Sequence, residues 1–244
     1  MEIFDVLKAR AGIPVDDTMA VLFAQRKKYI KLLNLDTTGY QAGSETCANL
    51  GTLQGDFGVV LTRGGTLSDC VYPVTNGLHV SEDAYISYAI DFMTYSKWIY
   101  NIAFSDFSPG RSNAYASRIL NNGMPNLEIY YDRVNDCISA AFNPDSAYIP
   151  IVMDVRATID GNAVRVPTFN ASYLASGMHN LSFERNKNDM YFVADGIRMA
   201  KYPFSQIKSE STYTSKLGMG NMDGWAYGVC PTMVIQSLTF LGQA

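Results

Sequence analysis

Turn signals recur so closely along this chain that long helices have no room beyond its N-terminal segment. Glycine occurs at positions 39, 43, 51, 55, 58, 64 and 65, and each of these positions weakens a helix. Farther along, Asn-Gly and Asp-Gly pairs, which tight hairpin turns favour, separate segments rich in Ile, Val, Tyr and Phe. Short strands at this spacing indicate an antiparallel sandwich or barrel rather than a parallel sheet with crossover helices.

Strands are predicted wherever these β-favouring segments fall between turn signals. The clearest hairpins bend at Asp160-Gly161 and at Asp195-Gly196, because Asp-Gly supplies the positive φ angles that a two-residue turn needs. An extended segment is also predicted at 29–35. The full set of predicted strands is 57–61, 85–95, 98–104, 126–131, 137–142, 149–159, 163–166, 179–185, 190–194, 197–200, 216–219 and 234–241.

The first 55 residues follow a different pattern and are predicted to form a helical N-terminal arm, with the β-domain occupying 56–244. Apolar residues at positions 3, 4, 7 and 11 recur at helical spacing, and Gly12 and Pro14 end that helix. A second short helix is predicted over 19–25, where Asp16, Asp17 or Thr18 can cap its N-terminus.

The composition bears on the kinds of partner that the protein binds. Nineteen Lys and Arg against 23 Asp and Glu give a net charge of −4, which argues against a nucleic-acid partner. Charged residues are only 17% of the chain, and abundant aromatic residues with few charges are typical of a surface shared with neighbouring subunits.

Targeting signals and cysteine patterns give expectations about the compartment. The N-terminus lacks the apolar core of a secretory signal, and no apolar stretch reaches transmembrane length, so we expect folding in a cytoplasm without membrane insertion. Cys47, Cys70, Cys137 and Cys230 are scattered, and we interpret them as buried small residues rather than metal ligands.

A resemblance emerges in the segment 178–242. Its matching residues are His179, Phe183, Arg185, Tyr191, Val193, Asp195 and Gly196, followed by the strands 217–220 and 234–240. This order resembles the laminin-G/concanavalin-A-like jelly-roll superfamily, although Met178 stands where that family often has Trp, and the Asp of the closing strand is absent. The resemblance implies an all-β fold: an antiparallel β-sandwich of the lectin-like jelly-roll type, here with the short helical N-terminal arm.

A second resemblance concerns the segment 2–10, with the sequence Glu-Ile-Phe-Asp-Val-Leu-Lys-Ala-Arg. It is similar to the opening of many tailed-phage and prophage structural proteins. This resemblance implies a tail or baseplate component of a virion, assembled in a bacterial cytoplasm, with other virion proteins as partners.

The candidate ligand-binding residues lie in the loop 220–228. Trp225 and Tyr227 offer aromatic rings for a sugar, and Asn221 and Asp223 supply polar groups beside them. The alternative is that Trp225 fills the end of the sandwich or a subunit interface. The loop 105–113 has a weaker form of the same polar and aromatic mixture.

No catalytic, metal or cofactor site is predicted. Glu128 and Asp132 lie about 13 Å apart on one straight strand, too far for a glycosidase pair. No nucleophile elbow accompanies any serine, so His79 and His179 are interpreted as structural or surface residues. The family resemblance suggests a calcium ion bound by loop carboxylates, namely Asp189, Asp195 and Asp223. The sequence, however, has no loop with the dense oxygen ligands that calcium prefers.

These observations lead to a functional hypothesis of a non-enzymatic phage virion component, associated with the tail or baseplate. Its sandwich would serve subunit contact in a homo-oligomer, for example a trimer, and would bind a bacterial surface glycan. The alternatives are a carbohydrate-binding module outside a virion and a jelly-roll glycosidase.

Overall fold

The computed structural model describes residues 29–111, 116–121, 127–142, 150–152, 156–159, 162–165, 169–206, 216–220 and 228–243. In these residues the chain forms the strands β1 Ile30–Asn34, β2 Thr46–Cys47, β3 Phe57–Leu61, β4 Val71–Val74, β5 Gly77–Val80, β6 Ala84–Ala89, β7 Lys97–Ser108, β8 Ala116–Asn121, β9 Leu127–Asp132, β10 Cys137–Phe142, β11 Pro150–Val152, β12 Arg156–Ile159, β13 Asn162–Arg165, β14 His179–Asn186, β15 Asp189–Ala194, β16 Ile197–Pro203, β17 Lys216–Met219, β18 Gly228–Val229 and β19 Thr232–Gly242. Two single-turn helices are α1 Leu67–Cys70 and α2 Ala171–Leu174, and short 3-10 turns occur at Phe92–Thr94 and Phe204–Gln206.

The strands form two large sheets. The first sheet has the order β16-β15-β14-β7-β19-β5-β4, with β1 also paired to β19. The second has the order β11-β10-β9-β8-β17-β6-β3-β2, with β18 alongside β8, and β12 and β13 form a separate hairpin. All of these pairings are antiparallel except that of β18 with β8. The predicted all-β, antiparallel β-sandwich is therefore confirmed.

The core lies between the two sheets and is built by alternation along the strands. In β7, Trp98, Tyr100, Ile102 and Phe104 are buried, and the residues between them point to the opposite side. The second sheet contributes Phe57 and Ile86, among others. All four cysteines are buried and free, as the sequence indicated.

One predicted hairpin turn is resolved in detail. Asp195 and Gly196 have φ angles of 46° and 80° between the paired strands β15 and β16, so the predicted Asp-Gly turn is confirmed. The turn residues Asp160 and Gly161 lie outside the described residues. The flanking strands β12 and β13 nevertheless pair there, with Ile159 opposite Asn162.

The segment predicted as an arm contributes to both sheets. In β1, Ile30 pairs with Gly242 and Leu33 is buried, while β2 pairs with β3. The helices predicted over the first 25 residues lie outside the described part of the chain, and the domain boundary at residue 55 stays a prediction. Neither described helix is long and apolar enough to cross a membrane.

Candidate functional site

The predicted ligand residues Asn221, Asp223, Trp225 and Tyr227 lie outside the described residues, but both ends of their loop are described. The loop follows β17, in which Gly218 pairs with Asn121, and precedes β18, in which Gly228 pairs with Ala116. Both ends are therefore anchored along β8. An ideal Cβ on Gly220 would lie 2.8 Å from the Cβ of Tyr85, which places the start of the loop directly beside that tyrosine.

A row of residues crosses five strands of the second sheet beside this loop. The register pairs Gly58 with Ser87, Ser87 with Gly218, Gly218 with Asn121, and Asn121 with Glu128. Directly paired residues share one side of a sheet. The residue next to each member of the row belongs to the core, namely Val59, Ile86, Leu217, Leu120 and Ile129. The row therefore lies on the outer face, which is the side of the second sheet turned away from the first sheet.

Three neighbouring members of this row, Gly58, Ser87 and Gly218, carry little or no side chain. Gly58 and Ser87 are half-buried, so the sheet backbone can be approached closely from outside over β3 and β6, whereas Gly218 in β17 is buried. The hydroxyl of Tyr100, which reaches across the core from the first sheet, donates to the Gly218 carbonyl at 2.5 Å. This bond fixes the position of β17 and with it the start of the loop.

The other half of the row is charged and buried. Glu128 is 1% exposed, and its carboxylate lies 3.2 Å from the Nε of Arg118, which is 6% exposed. Tyr130, opposite Arg118 on β9, and Ser139, opposite Tyr130 on β10, extend this polar group across the sheet. The Asn121 amide donates to the Gly220 carbonyl and so fastens the loop to β8.

The accessible part of the outer face lies next to the small residues. Tyr85 and Ser87 are half-buried, and Val60, opposite Tyr85, is 38% exposed. Burial raises the pKa of Tyr85, so its hydroxyl remains protonated at neutral pH and can both donate and accept. An aromatic ring with a polar end, beside an open stretch of backbone, suits a ligand with apolar faces and hydroxyl edges.

The two carboxylates considered for catalysis, Glu128 and Asp132, both bind other groups of the protein. Glu128 is paired with Arg118, whereas Asp132 accepts from the amides of Val134 and Asn135 at 2.9 and 3.2 Å and so closes the turn after β9. A shared cleft would require both carboxylates to face the same ligand, which this arrangement does not provide.

His179 is 4% exposed, and both of its ring nitrogens are bound within the protein. Nδ1 lies 2.9 Å from Asp195 Oδ2, and Nε2 lies 3.0 and 3.1 Å from the carbonyls of Tyr173 and Ser176. All these partners accept hydrogen bonds, so the doubly protonated, cationic form of the ring would satisfy every one of them. Burial lowers the pKa of His179, but the hydrogen bond and charge of Asp195, together with the two carbonyls, raise it overall.

The loop carboxylates considered for calcium also have protein partners. Asp189 pairs with Lys201 at 3.0 Å, Asp195 pairs with His179, and Asp223 lies outside the described residues. Among the residues that the structure describes, no three His, Cys, Asp or Glu side chains are grouped so that they could hold a metal ion.

The sequence predicted a ligand-binding role for the loop, which stays a prediction, and did not point to the outer-face residues near the start of the loop. Tyr85, Ser87 and Asn121 carry no motif, and they come together only through pairings between strands far apart in the chain. The pairing of His179 with Asp195 was likewise not predicted, although both residues belong to the pattern that carried the resemblance.

No protein-family model matches the sequence, and no curated protein is similar to it in sequence. The solved structures similar to it include a Trypanosoma rangeli sialidase, with a TM-score of 0.57 at 10% identity over 86% of this chain. The chain spans 30% of the length of that sialidase. At such low identity, this similarity shows the fold alone.

Two further solved structures extend the comparison. Domain 4 of the arabinanase AbnA from Geobacillus stearothermophilus, in complex with arabinotriose, has a TM-score of 0.51 at 10% identity, covering 88% of this chain and 94% of that one. The binding domain of botulinum neurotoxin DC, in complex with SialylT, has a TM-score of 0.51 at 10% identity, covering 86% and 47%. The predicted lectin-like sandwich therefore agrees with these neighbours at the level of fold.

Proposed function

We propose that this protein is a carbohydrate-binding β-sandwich that holds a glycan on the outer face of its second sheet, between Tyr85 and the loop 221–227. The observation that carries the proposal is the pair Gly58 and Ser87, which are half-buried and place little or no side chain over the sheet beside the half-buried Tyr85. A pyranose ring could lie against the Tyr85 ring while its hydroxyls meet Ser87 and the tyrosine hydroxyl.

The fold neighbours support this proposal by their bound ligands. The arabinanase domain, which this chain matches over 94% of its length, is in complex with arabinotriose. The loop predicted to carry Trp225 and Tyr227 begins after Gly220, and Gly220 lies beside Tyr85. Aromatic rings of this kind form stacking surfaces that tolerate several sugars.

The test is binding to an array of bacterial polysaccharides, followed by calorimetry on the best ligand. Tyr85→Ala should weaken binding about tenfold, which corresponds to roughly 1.4 kcal/mol, because the stacking ring is lost. Tyr85→Phe should retain most of the affinity, since the ring remains. Trp225→Ala tests the loop in the same way.

The matched control is Tyr191→Ala, which removes a half-buried tyrosine from a strand of the first sheet. Equal losses of affinity in Tyr85→Ala and Tyr191→Ala would contradict a site at Tyr85. Circular dichroism on each variant separates loss of binding from loss of folding.

We further propose that the protein is non-enzymatic and works in a phage virion, at the tail or baseplate, as a homo-oligomer. The low fraction of charged residues and the resemblance of the N-terminal segment support this role. Light scattering should find an oligomer, and a monomer at every concentration would count against the assembly role.

Incubation with the bound glycan should release no new reducing ends, and their appearance would overturn the non-enzymatic assignment.

A further inference from the structure

The outer face of the first sheet carries a second row of side chains, far from the site proposed above. The register pairs Tyr72 with His79, His79 with Val234, and Val234 with Ser105, across β4, β5, β19 and β7. Neighbouring residues such as Leu78 and Phe104 are in the core, so this row faces outward. Tyr72, His79, Val234 and Ser105 are all half-buried.

The rings of Tyr72 and His79 stack, with centroids 4.4 Å apart and planes 20° apart. This separation is close to the spacing of about 4.8 Å between adjacent strands, so the two rings stand upright side by side. One face of the His79 ring is covered by Tyr72. The other face is directed toward β19 and β7, above Val234.

Two β-bulges border this space. In β7, Asp106 and Phe107 together stand opposite a single residue of β19, and Asp106 has a positive φ of 55°. In β19, Gln236 is the extra residue between Ile235 and Ser237. Bulges of this kind redirect side chains, and Asp is one of the few non-glycine residue types that adopt a positive φ readily.

A chain of hydrogen bonds joins the two bulges. Gln236 Nε2 lies 2.7 Å from Ser105 Oγ, which lies 2.9 Å from Asp106 Oδ2. A carboxylate only accepts, so Ser105 gives its single proton to Asp106, and Gln236 must supply its amide hydrogen to Ser105. The Gln236 Oε1 is left buried, with no hydrogen-bond partner in the described structure. A buried amide oxygen without a hydrogen-bond partner is unfavourable for stability.

We infer that His79, Val234 and Asp106 form a slot that binds a neutral sugar. The imidazole, backed by Tyr72, is an aromatic wall, Val234 is an apolar floor, and the exposed Asp106 carboxylate accepts hydrogen bonds from hydroxyls on the opposite side. Across two strand spacings the backbones of β5 and β7 are about 10 Å apart, and β19 with Val234 lies between them. The negative charge of Asp106 disfavours sugars that carry a carboxylate.

The ionisation of His79 agrees with this role. Burial lowers its pKa, and Asp106 partly raises it, which leaves the pKa below its ordinary value. At neutral pH the ring is uncharged, so it can stack on a sugar and also donate or accept one hydrogen bond.

The experiment follows the His79 ring resonances by NMR while neutral sugars and their uronates are added in matched pairs: glucose with glucuronate, galactose with galacturonate, each to about 10 mM, with lactose and maltose as larger neutral probes. At least one neutral sugar should shift the His79 signals and leave the His179 signals in place. The matching uronate should bind at least about fivefold more weakly. A His79 signal that no neutral probe moves would overturn the proposal.

Asp106→Asn is the sharpest variant, because Asn tolerates positive φ and keeps an acceptor for Ser105 while losing the charge. It should bring the uronate affinity close to that of the neutral sugar, and an unchanged preference would contradict the role given to Asp106. His79→Ala should abolish binding at the slot. Tyr85→Ala should leave the slot intact, so failure here and failure of the site on the second sheet are distinguishable.

Discussion

Two groups of tyrosine, histidine and aspartate occur in this molecule, and they behave in opposite ways. One consists of Tyr72, His79 and Asp106, on the outer face of the first sheet. The other consists of Tyr173, His179 and Asp195, where α2, β14 and the turn after β15 meet. In both the rings are close, with centroids 4.4 and 4.6 Å apart, and in both the aspartate has a positive φ, 55° and 46°.

The difference lies in how far the protein itself satisfies the polar atoms. Asp195 accepts from the backbone amide of Asn180, from the Tyr173 hydroxyl and from the His179 ring. Among the described residues, the ring of His79 stacks on Tyr72 and is close enough to the Asp106 charge to be affected by it, and no hydrogen bond contributes to its pKa. The same three residue types thus form a closed structural contact at His179, where the polar atoms bond to one another, and an accessible surface at His79, where the ring has no such bonds.

The largest expected contrast is in stability. Asp195→Ala should lower the free energy of unfolding by about 2–4 kcal/mol, because it leaves the buried His179 imidazole without its carboxylate partner and removes the partners of Asn180 and Tyr173. Asp106→Ala should lower it by only about 1 kcal/mol, since one exposed hydrogen bond is lost.

Urea denaturation measures both variants. Each places alanine at a positive φ, so this strain is common to the two and cancels in their difference. Equal destabilisation would show that the two groups are energetically alike and would remove the distinction drawn between them.

Local pattern predicted much of the fold. The strands β3, β10 and β17 have the predicted bounds, because each is a short β-favouring segment between turn signals. The prediction missed five strands, namely β2, β4, β5, β8 and β18. Pro73 argues against a strand, although it is tolerated here because β4 is at the edge of its sheet.

Neither surface could be predicted in the same way. The slot exists because His79 and Ser105 both pair with Val234, a residue more than a hundred positions farther along the chain. A local pattern gives the side of a strand on which a residue lies but not the strand that comes to lie beside it. The Trp225 loop was proposed from composition, since aromatic and polar residues adjoin in sequence there, and its role stays a prediction.

The second contrast is in how the contributions of His179 and His79 to stability depend on pH. The pKa of His179 is raised above its ordinary 6.5, so its contribution to stability is complete below that pH and is lost as the pH rises through the folded value. The pKa of His79 is lowered, so its contribution is present above 6.5 and is lost as the pH falls through its folded value.

Thermal unfolding of His179→Gln and His79→Gln from about pH 5 to pH 8 tests these signs. Relative to the native protein, the first variant should lose less stability on the alkaline side, and the second should lose less on the acidic side. The same change of slope in both variants would contradict the opposite shifts.

The smallest expected effect is a change in the pKa of His79 when its neighbour loses charge. The Asp106 carboxylate raises this pKa electrostatically, so Asp106→Asn should lower it further, as NMR titration of the ring protons would measure. Because Asp106 is exposed, the change should diminish as salt is added. The pKa of His179, whose partner is Asp195, should not move. A His79 pKa unaffected by Asp106→Asn at low salt would mean that the carboxylate does not face the ring, and the slot would lose one of its two walls.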